Sequence, residues 1–556
     1  MKKRISLNEV ISACLFIIFL MPFGLSAQNQ YTGDWEGKFM SDFNITIHLN
    51  YNTNNEYSSS LRMFSGGEMI QNDEISKIEI DDLDFKFYLE AKQTEFVGQF
   101  NKDFTELLGE FTFPDGSKHP LHVFKKPLSL ESKNNSLESY LDFINKKYSV
   151  NELQTDFRFL TESLIEYHPQ LYYYTSKESM NDFWSRTLNK INSELTLAEF
   201  YVLIAPVTDI VNCSHTAIRI QERYRQLLAE YGNFFPLELA FINNKAYYLS
   251  NHCNTSIDIK PGSEIITINS MDIPEIMEKI ITFMPSEGDN QTTKYSIINS
   301  DFNSYYFFLD NSDSFEIEFL SENNQKNTIN ISACSLNDFI SQKKLTGSVY
   351  PVDFMIKNDV GFLKVESFAI PDIGEYIQLL DSIFKVLKDQ NTQNLVIDLR
   401  NNIGGHPIFA AQLLSYLVKD EFTYFKRNPD ISEFEPLYNL MQPNPNIFEG
   451  NVYMFINGGC LSTTGHFISL SKYLTDTKFI GEAPGSTYRC NDFSTQITLP
   501  NTGIEVNIPR TTFETAVSGV AAKEKFEIDY PIEISIKDIL RGKDSYEIFL
   551  SELLSK

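Results

Sequence analysis

The chain has 556 residues, 42% of them hydrophobic and 22% charged, which is globular composition and excludes a disordered or collagen-like chain. That length exceeds what one hydrophobic core supports, so several domains are expected. A formal net charge of −27 repels nucleic acid phosphates and argues against a nucleic-acid partner, although acidity by itself selects no substrate.

Lys2, Lys3 and Arg4 precede an apolar run from Val10 to Leu20, and Leu25-Ser26-Ala27 offers a small-residue cleavage site. The pattern is that of an export signal over residues 1–27. The run is short for a membrane span and Pro22 follows it, so no stable membrane insertion is expected once the signal is removed. The mature protein is expected outside the cytoplasm, in the periplasm or the extracellular medium. It keeps five cysteines, Cys213, Cys253, Cys334, Cys460 and Cys490. Few, scattered and odd in number, they encode no disulfide framework. No CxxC pair, no HExxH helix and no phosphate-cradling loop occurs, so neither a metal nor an organic cofactor is expected.

Residues 28–127 alternate in hydrophobicity and are punctuated by glycine, which predicts an accessory β-domain, a meander or small barrel. From 128 to 235 the period becomes helical: Leu153, Phe157, Leu160 and Leu164 recur at that spacing, as do Phe200, Ile204, Val207 and Val211. This helical region contains Asn212-Cys213-Ser214-His215-Thr216. Strand-like runs return over 236–345. From 346 to 556, strands at 360–366, 394–399 and 452–456 alternate with helices at 373–387 and 409–418, which predicts a layered α/β core.

Two segments of this last region carry chemistry. Asn394 to Leu399 is a strand that runs through Arg400, Gly404 and Gly405 into a helix beginning near Pro407. Such a glycine turn exposes backbone N–H groups suited to a developing oxyanion. The strand from Val452 to Ile456 ends in a second glycine turn, after which Ser462 opens an apolar helix. Ser462 could merely cap that helix, or present its hydroxyl at the carboxyl end of the sheet, where α/β proteins place ligands.

In order, these motifs resemble the C-terminal processing (tail-specific) serine peptidases and the related tricorn core protease. That family shows Asp-Leu-Arg-x-Asn-x-Gly-Gly, then a Ser-Ala-x-Glu nucleophile helix, then Gly-Glu-x-Thr-Gly-Gly. Here the corresponding stretches are Asp398 to Gly405, Ser462 to Gly465, and Gly481 to Gly485. The resemblance implies a multi-domain α+β protein with a crotonase/ClpP-like catalytic domain. Pro261 to Ser270 similarly resembles a strand of PDZ domains and implies a degenerate PDZ-like module. One branch of the family uses a lysine base after the serine, but here Pro484 to Arg489 holds none, and an arginine cannot serve as a base. The tricorn branch uses an upstream Ser-His pair, which Ser214-His215 matches in type and place.

The resemblance therefore implies a serine peptidase acting on peptides or proteins. Ser462 is its nucleophile, His215 its base and Ser214 the residue that orients the base, with the N–H groups of Gly405 and Thr463 as the oxyanion hole. The branch's fourth member, a glutamate before the terminal strand, corresponds to Glu524. The family's acidic residue after the nucleophile is replaced around Gly465-His466. His466 and His406 are thus rival bases, Thr463 and Thr464 rival hydroxyls, and Cys460 a rival nucleophile. The competing expectation is a binding protein on the same fold with a decayed site, holding peptides or apolar ligands in its cleft.

Overall fold

The computed structural model describes residues 32–555 except 40–42, 52–56, 66–67, 82, 102–105, 115–116, 126–129, 254–256, 322, 343–350, 371, 429–430, 432–433 and 518–525. The expected export signal and Glu524 lie outside the described residues. By internal contacts the chain divides into two compact units, residues 24–138 and a second that contains 139–556.

The first unit is a closed barrel of eight antiparallel strands in sequence order, with Gly33–Phe39 pairing Lys118–Lys125 to close it. Strand Asp84–Leu89 alternates exposed and buried side chains, which sends Phe85, Phe87 and Leu89 inward. Phe96, Phe100, Phe111 and Trp35 fill the same interior, their rings in contact 4.9–6.2 Å apart. The expected meander or barrel is a barrel because closure leaves no edge strand unpaired.

In the second unit, helices Val150–Tyr167 and Leu197–Ile204 both begin in capping boxes, Ser149 with Glu152 and Thr196 with Glu199. Their apolar faces share one core with an antiparallel sheet built from Leu237–Ile242, Lys245–Asn251, Glu264–Ile268, Ser314–Leu320 and Lys326–Ser332. Periodicity did not indicate the 19-residue helix Gln291–Leu309, which lies inside this core. Asn299 and Ser300 are exposed whereas Phe302 to Phe308 are all buried, and non-helical Asp301 breaks the segment between them, so no single apolar stripe runs its length. One cysteine expectation is corrected: Cys253 and Cys334 form a disulfide at the edge of this sheet, leaving Cys213, Cys460 and Cys490 as buried thiols.

Val352–Lys357, Val360–Val365, Asn394–Asp398, Asn451–Ile456, Lys478–Gly481 and Tyr530–Pro531 form a second six-stranded sheet in that spatial order. The first pair is antiparallel and the rest are parallel. Helices Ile373–Asp389, Pro407–Ser415 and Thr463–Leu474 join its parallel strands. Arg400, just beyond a central strand, pairs with Asp398 at 2.5 Å and with Asp544 at 2.8 Å, and Asp544 caps the terminal helix Ser545–Leu554. The Asp-Leu-Arg motif thus fastens the sheet to the chain's last helix.

Two connections bring the helical region to this sheet's chemistry. Ala217–Arg219, immediately after Ser214-His215, pairs with Glu505–Ile508. Asp156, buried inside helix Val150–Tyr167, accepts four hydrogen bonds of 2.6–2.9 Å from the backbone and side chains of Asn501 and Thr502, in the turn leading to that same strand. Asp156→Ala would strand four donors, the two on Thr502 fully buried, an expected loss of about 3–5 kcal/mol. An unchanged urea midpoint would contradict this assignment.

Candidate active site

Ser462 stands between the parallel strand Asn451–Ile456 and the helix Thr463–Leu474. Its backbone is at φ 51°, ψ −123°, a region that costs a non-glycine residue about 1–3 kcal/mol. Its side chain makes no capping hydrogen bond, so the bland reading of Ser462 as a helix cap fails. The turn is held from below by Asn402, which is fully buried. Its side-chain nitrogen donates to the Val365 carbonyl, and its side-chain oxygen accepts from Gly404 N at 2.9 Å and Thr464 Oγ1 at 2.7 Å. The Asn402 carbonyl also accepts from Leu461 N at 3.1 Å.

The paired glycines have separate steric reasons. A Cβ on Gly404 would sit 3.0 Å from the Ser462 Cβ and 3.1 Å from Thr463 N, and a Cβ on Gly405 would overlap the Phe368–Ala369 peptide. Both also have positive φ, 112° and 141°. Gly404 therefore lies against the nucleophile turn. Among the described residues neither Gly405 N–H nor Thr463 N–H donates a hydrogen bond, while the next helix N–H, that of Thr464, is satisfied by Leu461. Thr463 uses its hydroxyl to bond the Gly405 carbonyl, which ties the two strand–turn–helix units together.

Ser214, His215 and a residue that sequence reasoning missed, Glu287, form a connected chain. Ser214 Oγ donates to Glu287 Oε2 at 3.0 Å, and His215 Nδ1 lies 3.1 Å from the same Oγ. The Ser214 hydroxyl has one proton. With that proton given to the carboxylate, Oγ accepts from His215 Nδ1–H and leaves Nε2 as the basic nitrogen. Tyr174 also hydrogen-bonds Glu287. Burial raises the Glu287 carboxyl above the usual carboxylate range, opposed by the His215 charge and the Ser214 bonds, even though part of the side chain reaches the surface. Gly288 N donates to the Asn212 carbonyl at 3.0 Å, and Asn507 Nδ2 donates to the His215 carbonyl at 2.9 Å, so both sides of the pair are anchored.

The strand Arg489–Asp492 brings the two halves together. Cys490 Sγ lies against the Ser462 hydroxyl and 3.4 Å from His466 Nε2, and Asp492 Oδ2 lies 3.8 Å from His215 Nε2. No hydrogen bond joins Ser462 to His215 among the described residues; this strand meets the one through Cys490 and the other through Asp492.

The rivals fare differently. His466 is buried within the helix, its pKa driven down to about 3 by burial and the His215 charge, so it stays neutral and packs edge-on to Phe425 at 5.1 Å. His406 caps helix Pro407–Ser415, accepting from Ile408 N at 3.2 Å, and burial lowers it to about 4. Burial pushes the Cys460 thiol up to about 12 and its Sγ is committed to the Leu399 carbonyl at 3.0 Å, which removes it as a nucleophile. Thr463 and Thr464 spend their hydroxyls on the Gly405 carbonyl and on Asn402. The Ser462 hydroxyl, in contrast, makes no bond to its own helix and meets the Cys490 thiol.

A hydroxyl on a strained strand–turn–helix junction, beside two idle N–H donors, defines a serine-type hydrolase site on an α/β sheet. Residues 359–529 match the model of peptidase family S41. Among solved structures the chain is similar to mature CPAF, at 12% identity and a TM-score of 0.52 over 73% of this chain and 96% of that one. It is similar also to mature CPAF complexed with lactacystin, at 12% and 0.52 over 73% and 97%, and to a point mutant of CPAF, at 11% and 0.54 over 73% and 96%. These likenesses show a shared fold. Residues 359–529 are thus a peptidase family S41 domain, and the activity they support is that of a serine-type peptidase.

Proposed function

We propose that the protein is an exported endopeptidase-type hydrolase in which Ser462 attacks the peptide carbonyl and His215 takes its proton at Nε2. Ser214 orients the imidazole and Glu287 fixes the Ser214 proton. The N–H groups of Gly405 and Thr463 receive the oxyanion, and His215 returns the proton to the leaving amine. The tetrad glutamate is then Glu287, supplied by the loop before helix Gln291–Leu309, rather than Glu524. The catalytic sheet is of crotonase/ClpP type, and the sheet spanning 237–332 is a PDZ-like module that guides peptide toward it. Export, proposed from the sequence, accords with the Cys253–Cys334 disulfide, since such bonds persist in oxidising compartments.

The observation that carries this reading is the Ser462 hydroxyl at a strained turn, free of any capping bond and flanked by the idle Gly405 and Thr463 N–H donors. A fluorophosphonate is expected to label Ser462 stoichiometrically and to abolish hydrolysis of an unstructured protein. Lactacystin, bound in one CPAF structure, is a second probe. Protein that stays unlabelled by the phosphonate yet binds peptide would replace this reading with that of a decayed binding protein.

A further inference from the structure

We propose that Asp492 is the specificity-determining carboxylate of this site, selecting peptides that carry a positively charged group beside the scissile bond. The proposal rests on the catalytic reading above, because it takes His215 Nε2 as the nitrogen that faces the reacting atoms. Asp492 Oδ2 lies 3.8 Å from that nitrogen, so a substrate residue next to the scissile bond must pass this carboxylate.

Asp492 is available for such a contact. One-third of its side chain is exposed, and Oδ1 accepts only the N–H of its neighbour Phe493, at 2.8 Å. Along the strand, Cys490 and Asp492 face Ser462 and His215, whereas Arg489 and Asn491 alternate to the opposite face. Arg489 is used there: it stacks on Tyr173 at 3.9 Å and approaches Glu514 at 3.5 Å. Arg510, whose backbone N–H donates to the Asp492 carbonyl at 3.0 Å, carries its guanidinium over Tyr167 at 5.2 Å. No lysine or arginine pairs with Asp492 among the described residues.

The other titratable neighbours supply no fixed cation. Glu287 behind Ser214 is a second carboxyl, His466 is held neutral, and Cys490 is kept as a thiol by burial and by the Asp492 charge. A substrate cation therefore meets a carboxylate whose nearest cationic partner is the His215 ring, charged only when protonated, while an acidic side chain meets repulsion. The net charge of −27 gathers cationic peptides toward the protein in the same sense. The cation has two possible sources with one chemistry, a lysine or arginine side chain or the free α-ammonium of a peptide's first residue.

The test compares kcat/KM for a peptide set with lysine, norleucine or glutamate on each side of the cleaved bond, each with a free or an acetylated amino terminus. Wild type is expected to favour the cationic peptides over norleucine by about tenfold or more, and Asp492→Asn to bring that ratio toward one. Asp492→Glu, which keeps the charge, is expected to keep a preference. Acetylation separates the sources: a preference lost on acetylation belongs to the α-ammonium. Absence of any preference, a preference undiminished in Asp492→Asn, or failure to cut any cationic peptide would each overturn the proposal. Phosphonate labelling of Ser462 in the same samples separates the two ideas: labelled protein without cation preference sinks this inference alone, whereas unlabelled wild type sinks the catalytic reading.

Discussion

Ser462→Ala is expected to lower peptide turnover by about 10⁴–10⁶-fold, His215→Ala to do nearly the same, and the double variant to be hardly worse than either. The non-additivity follows from the mechanism. A hydroxyl without its base is a poor nucleophile, and a base without its hydroxyl has nothing to activate, so removing the second partner removes little more. His466→Ala discriminates this from a helix-borne base. His466 lies one turn beyond Ser462, with its side chain leaning back toward the serine, which made it a credible rival on geometry alone. In the folded protein it is a buried, neutral spacer between Cys490 and Phe425. Its loss is expected to appear chiefly as a lower melting temperature, with kcat of the folded protein changed less than about tenfold. Turnover by each variant, normalised to folded protein, decides the matter. If His466→Ala is dead and His215→Ala is active, the base has been misassigned.

How much was legible beforehand depends on distance along the chain. The strand–turn–helix units at 394–415 and 451–474 are local patterns, and the glycines, Pro407 and Ser462 announce them within twenty residues. The barrel was legible as strands because one face alternates, although its closure depends on pairing between its first and last strands. Glu287 gave no such signal. Ser286-Glu287-Gly288 reads as an ordinary polar turn, and only the long-range contact with Ser214, 73 residues earlier, gives the carboxylate its place. Asp492 and Cys490 are hidden in the same way, on a four-residue strand whose neighbours are far away in sequence. The Cys253–Cys334 bridge escaped a count that weighed spacing and parity, since its two ends meet only when the sheet between them forms. Asn402 shows the reverse case: it was part of a motif on the page, but its work, joining a strand, the glycine turn and the nucleophile helix, is apparent only in three dimensions.

Glu287→Gln is expected to reduce kcat by about 10–100-fold with little change in KM, and Glu287→Ala by more. Glutamine keeps the shape and can still accept from Ser214, but a neutral acceptor makes a hydrogen bond roughly half as strong as a carboxylate does. The imidazolium that forms when His215 takes the Ser462 proton also loses the nearby negative charge that favours it. pH separates this positioning role from a purely structural one. Burial raises the Glu287 carboxyl above its ordinary value, so its protonated form persists to higher pH than that of a surface glutamate. Protonated, it no longer draws the Ser214 proton, and His215 loses its fixed tautomer. Wild-type kcat is therefore expected to fall, on acidification, through a limb that lies above the usual carboxylate range, and that limb should be missing from the Glu287→Gln profile. Stability should move the other way. A carboxyl whose folded pKa is raised contributes stability below its unfolded pKa and loses it as pH rises through the folded one. At neutral pH the glutamine variant should thus melt at or above the wild-type temperature while turning over more slowly. A variant that melts earlier yet keeps the wild-type kcat and the same acidic limb would make Glu287 a packing residue and leave the Ser214–His215 pair without its anchor.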